Sequence, residues 1–492
     1  MLSVMKGSRM VQPMRNSMRG ITTLLERSNR MSIKKGATPK VCDTPEEAVA
    51  PFLKTNGLVL LHAGAATPTP LINGMINVAK EKGITNLRTT HMHLEGPGPQ
   101  PWDDEWCQKN MRPVAPFVGG NLRKQIEAGN AEYIPVHLGE LPLLFKRKIW
   151  EPDVAFVHLS PPDSHGYCTL GTSVDWIRSG VEHTKKVVGM INPKMPRVFG
   201  DGIIHYSQLD AVYHCDTPLY GPHGKKGLTP EEVEIGKHIA ELIPDGATLQ
   251  MGIGSVPDAV LAQLGSHRNL GIHTEMFSDG VLPLVADGVI NNSQKSDYRG
   301  RLITSFCVGS PDLYKFIDNN PCVNFLDVFY TNSVVVITGQ SKMHAINSCI
   351  EMDLTGQAAS GDIGKKVFSG FGGQVDFLRG AQLCPDGKAF LAFSSRTPKG
   401  VSKIVPQLKE AAGVVTTRAV VNYVVTEYGV VNLWGLTLPQ RARELISLAH
   451  PDDREWLDKA AFERFGSAFT TMSSKNCFRF RKDKILTSGY SN

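Results

Sequence analysis

The 492-residue sequence has no apolar run approaching the roughly 20 residues that a membrane span needs. That absence predicts a soluble chain. It also has no Cys-x-x-Cys pair. The nine cysteines (Cys42, Cys107, Cys168, Cys215, Cys307, Cys322, Cys349, Cys384 and Cys477) are odd in number and widely scattered. Neither a zinc site nor a disulfide framework is indicated, and the cysteines read as reduced thiols of a cytosolic or matrix compartment. Beyond its first segment the chain lacks any strong charge. The net charge is +6, but residues 1–36 hold eight Lys or Arg and one acid, Glu26, so that segment is +7 and the remainder −1. A body so nearly neutral excludes the basic footprint of a nucleic-acid binder.

What is present is a globular composition, 41% hydrophobic and 20% charged, in a chain long enough for two to three domains. The leader, residues 1–36, is rich in Met, Ser and Arg, with hydrophobic residues spaced between the basic ones. It lacks the continuous apolar stretch of a secretory signal. This composition predicts a mitochondrial transit peptide and a matrix location, with a plain basic tail as the alternative.

The rest of the chain repeats itself. Thr44-Pro45-Glu46-Glu47 and Thr229-Pro230-Glu231-Glu232 are near-identical helix starts, each with a Thr cap, Pro at the first helical position and Glu at the third. Each is followed by a turn (Asn56-Gly57, Asp245-Gly246), a short apolar strand, a small-residue loop, a helix and a second strand after Asn86 or Asn269. Strand-like runs recur at Val154–Val157, Val187–Ile191, Val334–Ile337 and Val420–Val425, with helical patterns such as Pro439–Leu448 between them. The pattern predicts an α/β protein with two similar open-sheet α/β domains, 37–224 and 225–492, joined by the Gly-rich connector Tyr220–Leu228. Ligands of such sheets bind at the carboxyl ends of strands, so a cleft between the domains is the expected site.

Two glycine loops stand out. Gln250-Met251-Gly252-Ile253-Gly254 follows a strand and opens a helix, offering backbone N–H groups to an anion or oxyanion. As a dinucleotide fingerprint it is incomplete, because the third glycine is missing and Pro257 occupies the helix entry. Gly370-Phe371-Gly372-Gly373 sets three glycines in four positions beside aromatics, consistent with close approach of a ligand or with a tight packed turn. Arg396, Lys399 and Lys403 follow it as candidate cations.

The third feature is Glu275 in Gly271-Ile272-His273-Thr274-Glu275-Met276-Phe277, an apolar strand-like run that ends in the turn signal Ser278-Asp279-Gly280. A carboxylate there is costly unless its charge is used. It suits a nucleophile facing N–H donors, or an ion pair with Arg or Lys. His273, two residues away, would share its face on a continuous strand. His91-Met92-His93 with Glu95 reads as core or pocket histidines before it reads as a metal site, for want of further ligands.

In order along the chain, Ser160-Pro161-Pro162-Asp163-Ser164-His165-Gly166-Tyr167, Gln250–Gly254, His273–Gly280, Gly370–Phe377 and Val425-Thr426-Glu427-Tyr428-Gly429-Val430 resemble the acetyl-CoA hydrolase/transferase family, a branch of the class I coenzyme A transferases. The resemblance runs from about residue 40 to the C-terminal region. It implies a reversible CoA transfer between short-chain carboxylic acids, such as acetate and succinate, through a glutamyl-CoA thioester on Glu275. CoA and oxyanion contacts then fall to Gln250, Met251, Gly252, Ile253, Gly254, Gly370, Gly372, Gly373 and Lys399. No metal or cofactor is implied, CoA being substrate, and a homodimer or larger homo-oligomer is expected. The alternative within the family is an acetyl-CoA hydrolase. Outside it stand a Rossmann-type dehydrogenase, which leaves Glu275 without a role, and a non-catalytic acyl-CoA sensor, which has no need of it.

Overall fold

A computed structural model of the protein describes residues 33, 36–96, 101–221, 227–252 and 254–470. The expected transit peptide, apart from Ile33 and Gly36, lies outside the described residues, as do Ile253 and the middle of the connector. The chain divides into two compact units. The first takes the chain up to Gly224 together with Glu275–Asp279 and Arg301–Asn332, and the second takes the rest. Among the described residues no helix is long and apolar enough to cross a membrane.

The first unit is built on eight strands: β1 (Lys40–Cys42), β2 (Leu58–Leu61), β3 (Leu87–Thr90), β4 (Met111–Ala115), β5 (Glu132–Tyr133), β6 (Val154–Leu159), β7 (Lys186–Ile191) and β8 (Ala211–His214). Their order is β1-β8-β7-β6-β2-β3-β4-β5, parallel throughout. Every residue of β6 is buried, as a parallel sheet covered on both faces requires. The helix Thr69–Lys82 connects β2 to β3 and buries Leu71, Ile72, Met75, Val78 and Ala79. It stops at Gly83, whose φ of 61° is the left-handed cap that glycine adopts without penalty.

The second unit holds β9 (Thr248–Met251), β10 (Gly271–Ile272), β11 (Met343–Asn347), β12 (Lys388–Ala392), β13 (Tyr423–Thr426) and β14 (Gly429–Asn432). The order is β10-β9-β11-β12-β13-β14, parallel except for the terminal hairpin β13-β14. The repeat read from the sequence is visible here. β2 pairs with β3, and β9 with β10, as parallel neighbours separated by a helix. Asn86 and Asn269 both take left-handed φ, 50° and 57°, just before the second strand of each pair. The caps differ in one respect. Thr229 forms the full reciprocal box, whereas Glu47 bonds the Asp43 N–H at 3.3 Å and pairs with Lys40 at 2.6 Å.

Val334–Ile337 is a correction. The β-branched run predicts a strand, but Val334–Thr338 is a helix. Ile337 packs where a Cβ on Gly380 would stand, 2.4 Å from its Cγ2, while Val335 stays 81% exposed. One buried contact against a neighbouring helix outweighs four strand propensities.

Burial also sets an acid sensitivity. His62, His91 and His158 of the first unit and His344 of the second are fully buried. Desolvation of the charged ring pulls them from 6.5 to about 4, about 4, about 3 and about 4. His62 Nδ1 accepts from the His158 N–H at 3.1 Å, so its proton is on Nε2, donated to the Ser173 carbonyl at 2.6 Å. The unfolded chain binds these protons more readily, so stability is lost as pH falls from 6.5 towards about 4, by on the order of 3 kcal/mol per ring. Denaturant titrations should show a midpoint that falls steadily across that window. A flat midpoint between pH 6.5 and 4 would refute the buried neutral rings.

Candidate active site

Glu275 sits at a break in the chain's pairing. β10 ends at Ile272, whereas Met276–Phe277 pairs with Phe306–Cys307 of the first unit, and Glu275 is the bend between the two. The sequence reading places this residue in the C-terminal domain on one strand. The structure instead groups it with the first unit, because the strand changes partners there. The strand alternation that would put His273 and Glu275 on one face is therefore interrupted.

The bend is held firmly. The Glu275 carbonyl accepts from the Ser305 and Phe306 N–H groups at 2.9 and 3.1 Å and from Thr304 Oγ1 at 3.1 Å. Ser305 in turn accepts at its carbonyl from the N–H groups of Val174 and Asp175, at 2.9 and 3.1 Å. The side chain is half-buried, and Oε2 accepts from Asn332 Nδ2 at 2.8 Å. Asn332 is itself buried, at the end of the short helix Val328–Thr331. Sequence reasoning misses it, since an Asn ending a helix is explained by its turn chemistry alone.

The Asn332 amide orients the carboxylate without a proton to lose. A hydrogen bond to a charged group is worth about 1.5–3 kcal/mol. Asn332→Ala should therefore lower kcat by roughly ten- to hundredfold, read in steady-state and single-turnover assays. An unchanged kcat would remove Asn332 from the site.

The residues just before Glu275 belong to the second unit and touch both elements that carry its glycine loops. Thr274 Oγ1 accepts from the Met251 N–H at 3.2 Å and donates to the Met251 carbonyl at 2.9 Å. The His273 ring lies 6.3 Å from Phe377, in the helix Gln374–Leu383 that the Gly370–Gly373 loop opens. The strand order reverses direction between β9 and β11, a switch point where the carboxyl ends of parallel strands leave a crevice. Gln250 and Asn347 stand there as an amide pair, Asn347 Nδ2 donating to Gln250 Oε1 at 2.9 Å.

The glycines of the first loop answer to no internal packing. Among the described residues, a Cβ on Gly252 or Gly254 would meet nothing within 4 Å. Gly254 needs its freedom for a φ of 127°, while Gly252 is half-buried with room beside its backbone. Gly370 and Gly372 take φ of 154° and 54°, and Gly373 caps the helix without a side chain, so its first N–H groups are not met by a capping side chain. Gln374 Nε2 anchors this loop to Ser360 Oγ and Thr416 Oγ1 at 3.0 and 2.9 Å.

The candidate cations separate. Arg396 is taken by Asp453, at 2.7 and 2.8 Å, and by Asp452, whereas Lys399 lies on an exposed turn. His91 stacks on Trp102 at 5.7 Å, and His93 Nε2 lies 3.6 Å from Glu95. Among the described residues no group of three or more His, Cys, Asp or Glu is arranged to hold a metal.

Each of the two α/β units is built on a largely parallel sheet, and comparison with known proteins gives the family. Residues 25–218 match the acetyl-CoA hydrolase/transferase N-terminal domain and residues 309–461 the C-terminal domain of the same family. The succinyl-CoA:acetate/propanoyl-CoA:succinate CoA transferase of Fasciola hepatica is 47% identical over 432 residues, covering 87% of this chain and 89% of that one. The 4-hydroxybutyrate coenzyme A transferase of Clostridium kluyveri is 44% identical, covering 86% of this chain and 97% of that one. Among solved structures, the 4-hydroxybutyrate CoA-transferase of Porphyromonas gingivalis superposes with a TM-score of 0.71 at 36% identity, over 87% of this chain and 98% of that one. The chain belongs to the acetyl-CoA hydrolase/transferase family and is an enzyme of the class I CoA-transferase type.

Proposed function

We propose that the protein moves CoA between short-chain acids, with acetate as one acid and succinyl-CoA or another short acyl-CoA as donor, through Glu275. The observation that supports this is the run His273-Thr274-Glu275. His273 and Thr274 touch the elements of both glycine loops, and the next residue carries the carboxylate that Asn332 orients.

The Glu275 carboxylate attacks the thioester carbonyl, and the C–S bond breaks to give a mixed anhydride and CoA thiolate. The thiolate attacks the glutamyl carbonyl and expels the first acid as its carboxylate. An acceptor carboxylate then runs the two steps in reverse, so one thioester is spent and one is made, with no proton gained or lost. Backbone N–H groups of the Gly252–Gly254 and Gly370–Gly373 loops are the donors for the oxyanion and the CoA arm, with Gln250, Met251, Ile253 and Lys399 as further contacts. The long CoA arm supplies binding energy away from the reacting bond.

Incubating labelled acetate with succinyl-CoA tests the reading. Label should appear in acetyl-CoA with matching release of succinate, and its absence across a panel of short acyl-CoAs would overturn the proposal. From the leader's charge we further propose import into the mitochondrial matrix, on which the amino terminus of the native protein reports, and a homodimer or larger homo-oligomer as the working form.

A further inference from the structure

β10 is the edge strand of the second unit's sheet, and its outer side is served by a loop rather than by another strand. The Leu270 N–H donates to the Val289 carbonyl at 2.9 Å, and the Asn291 and Asn292 N–H groups donate to the Leu270 carbonyl at 3.1 and 3.0 Å. Asn292 Oδ1 accepts the Ile272 N–H at 2.8 Å, and Lys295 Nζ donates to the Ile272 carbonyl at 2.9 Å. Both polar groups of Ile272 on that side are thus held by side chains.

Lys295 is 1% exposed. Its stem crosses Gly271 so closely that a Cβ there would stand 2.6 Å from Cγ and 3.0 Å from Cδ. The glycine and the lysine are therefore one fitted pair, since no larger residue leaves the stem its path. Burial draws the ammonium down to about 7, so the fold retains a group it does not favour in charged form. An apolar side chain would fill the same space at less cost. What it would not supply is a directional bond to the Ile272 carbonyl, three residues before Glu275.

We propose that Lys295 is a positioning residue for CoA transfer, holding the Ile272 carbonyl at the end of β10 so that the chain leaves the strand towards Thr274 and the bend at Glu275 from a fixed point. The inference rests on Glu275 as the nucleophile. Lys295 acts through the backbone it clasps. A displacement of about 1 Å at a reacting group costs on the order of a hundredfold in rate while leaving remote binding contacts intact.

The test is Lys295→Met in the full chain, with kcat, KM for the acyl-CoA and the single-turnover rate of glutamyl-CoA formation measured together. The expected result is a kcat and adduct rate lower by about ten- to hundredfold, with KM within roughly threefold of the parent. A merely structural clasp would lower the melting temperature and leave kcat of the folded fraction within about twofold, which would overturn the proposal. Lys295→Gln, too short to reach Ile272, carries the same prediction and decides the matter should the Met variant not fold. Glu275→Ala in the parent background separates the two claims, because an adduct that survives it refutes the nucleophile and not the clasp.

Discussion

Glu275→Ala is expected to lose CoA transfer by on the order of 10⁴-fold or more, and with it every trace of a covalent CoA adduct. The size follows from the role. A residue that only orients substrate is worth a few kcal/mol, but deleting the nucleophile removes the bond through which both half-reactions pass. With acyl-CoA and no acceptor, the parent protein should gain the mass of CoA on the peptide containing Glu275, and borohydride should trap it there. The Ser305 and Phe306 N–H groups and the Thr304 hydroxyl all bond the backbone carbonyl of Glu275, which the substitution leaves in place, so the variant should keep its fold. Near-normal turnover in a folded Glu275→Ala protein would end the covalent mechanism.

The second large effect concerns water. Thiol release from acetyl-CoA without a carboxylate acceptor should be on the order of 10³-fold slower than CoA transfer to one. Water is present at about 55 M, whereas a well-oriented intramolecular partner reaches effective concentrations of about 10⁵ M or more. Hydrolysis competes only if a base activates a water beside the glutamyl thioester. His273 is the candidate the sequence offers. It is fully buried beside Phe377, and the bend at Glu275 interrupts the alternation that would put the two on one face. Fast thiol release that ignores added acetate or succinate would make the protein an acetyl-CoA hydrolase.

The elements that repeat were legible because each is announced by local chemistry. Thr-Pro-Glu-Glu starts a helix, and Asn86 and Asn269 mark tight turns before buried strands. Val334–Ile337 was not legible, since its helix depends on a gap over Gly380 that lies more than forty residues away in sequence. In the candidate site, Glu275 was conspicuous as a charge in an apolar run, and the loops as glycines clustered after a strand or beside aromatics. Asn332 and Lys295 did not. An Asn at the end of a helix and a Lys in a polar turn look ordinary until the backbone brings them to Glu275 and Ile272. The fold-back of residues 301–332 onto the first unit was hidden for the same reason, because strand pairing over long separations leaves little trace in the strands themselves.

That fold-back bears on how the protein is made. Among the described residues Phe199–Gly200 pairs with Val323–Phe325, and Thr172 accepts from Cys307, so the first unit lacks these pairings until the chain has been built through Asn332. At about 5–20 residues per second, the 108 residues from Lys225 to Asn332 take roughly 5–20 s to synthesise. During that interval the pairings of Phe199–Gly200 and Thr172 are unmade. A gene cut at the connector would release the same unfinished piece, so the two units are separable by eye and not by a stop codon.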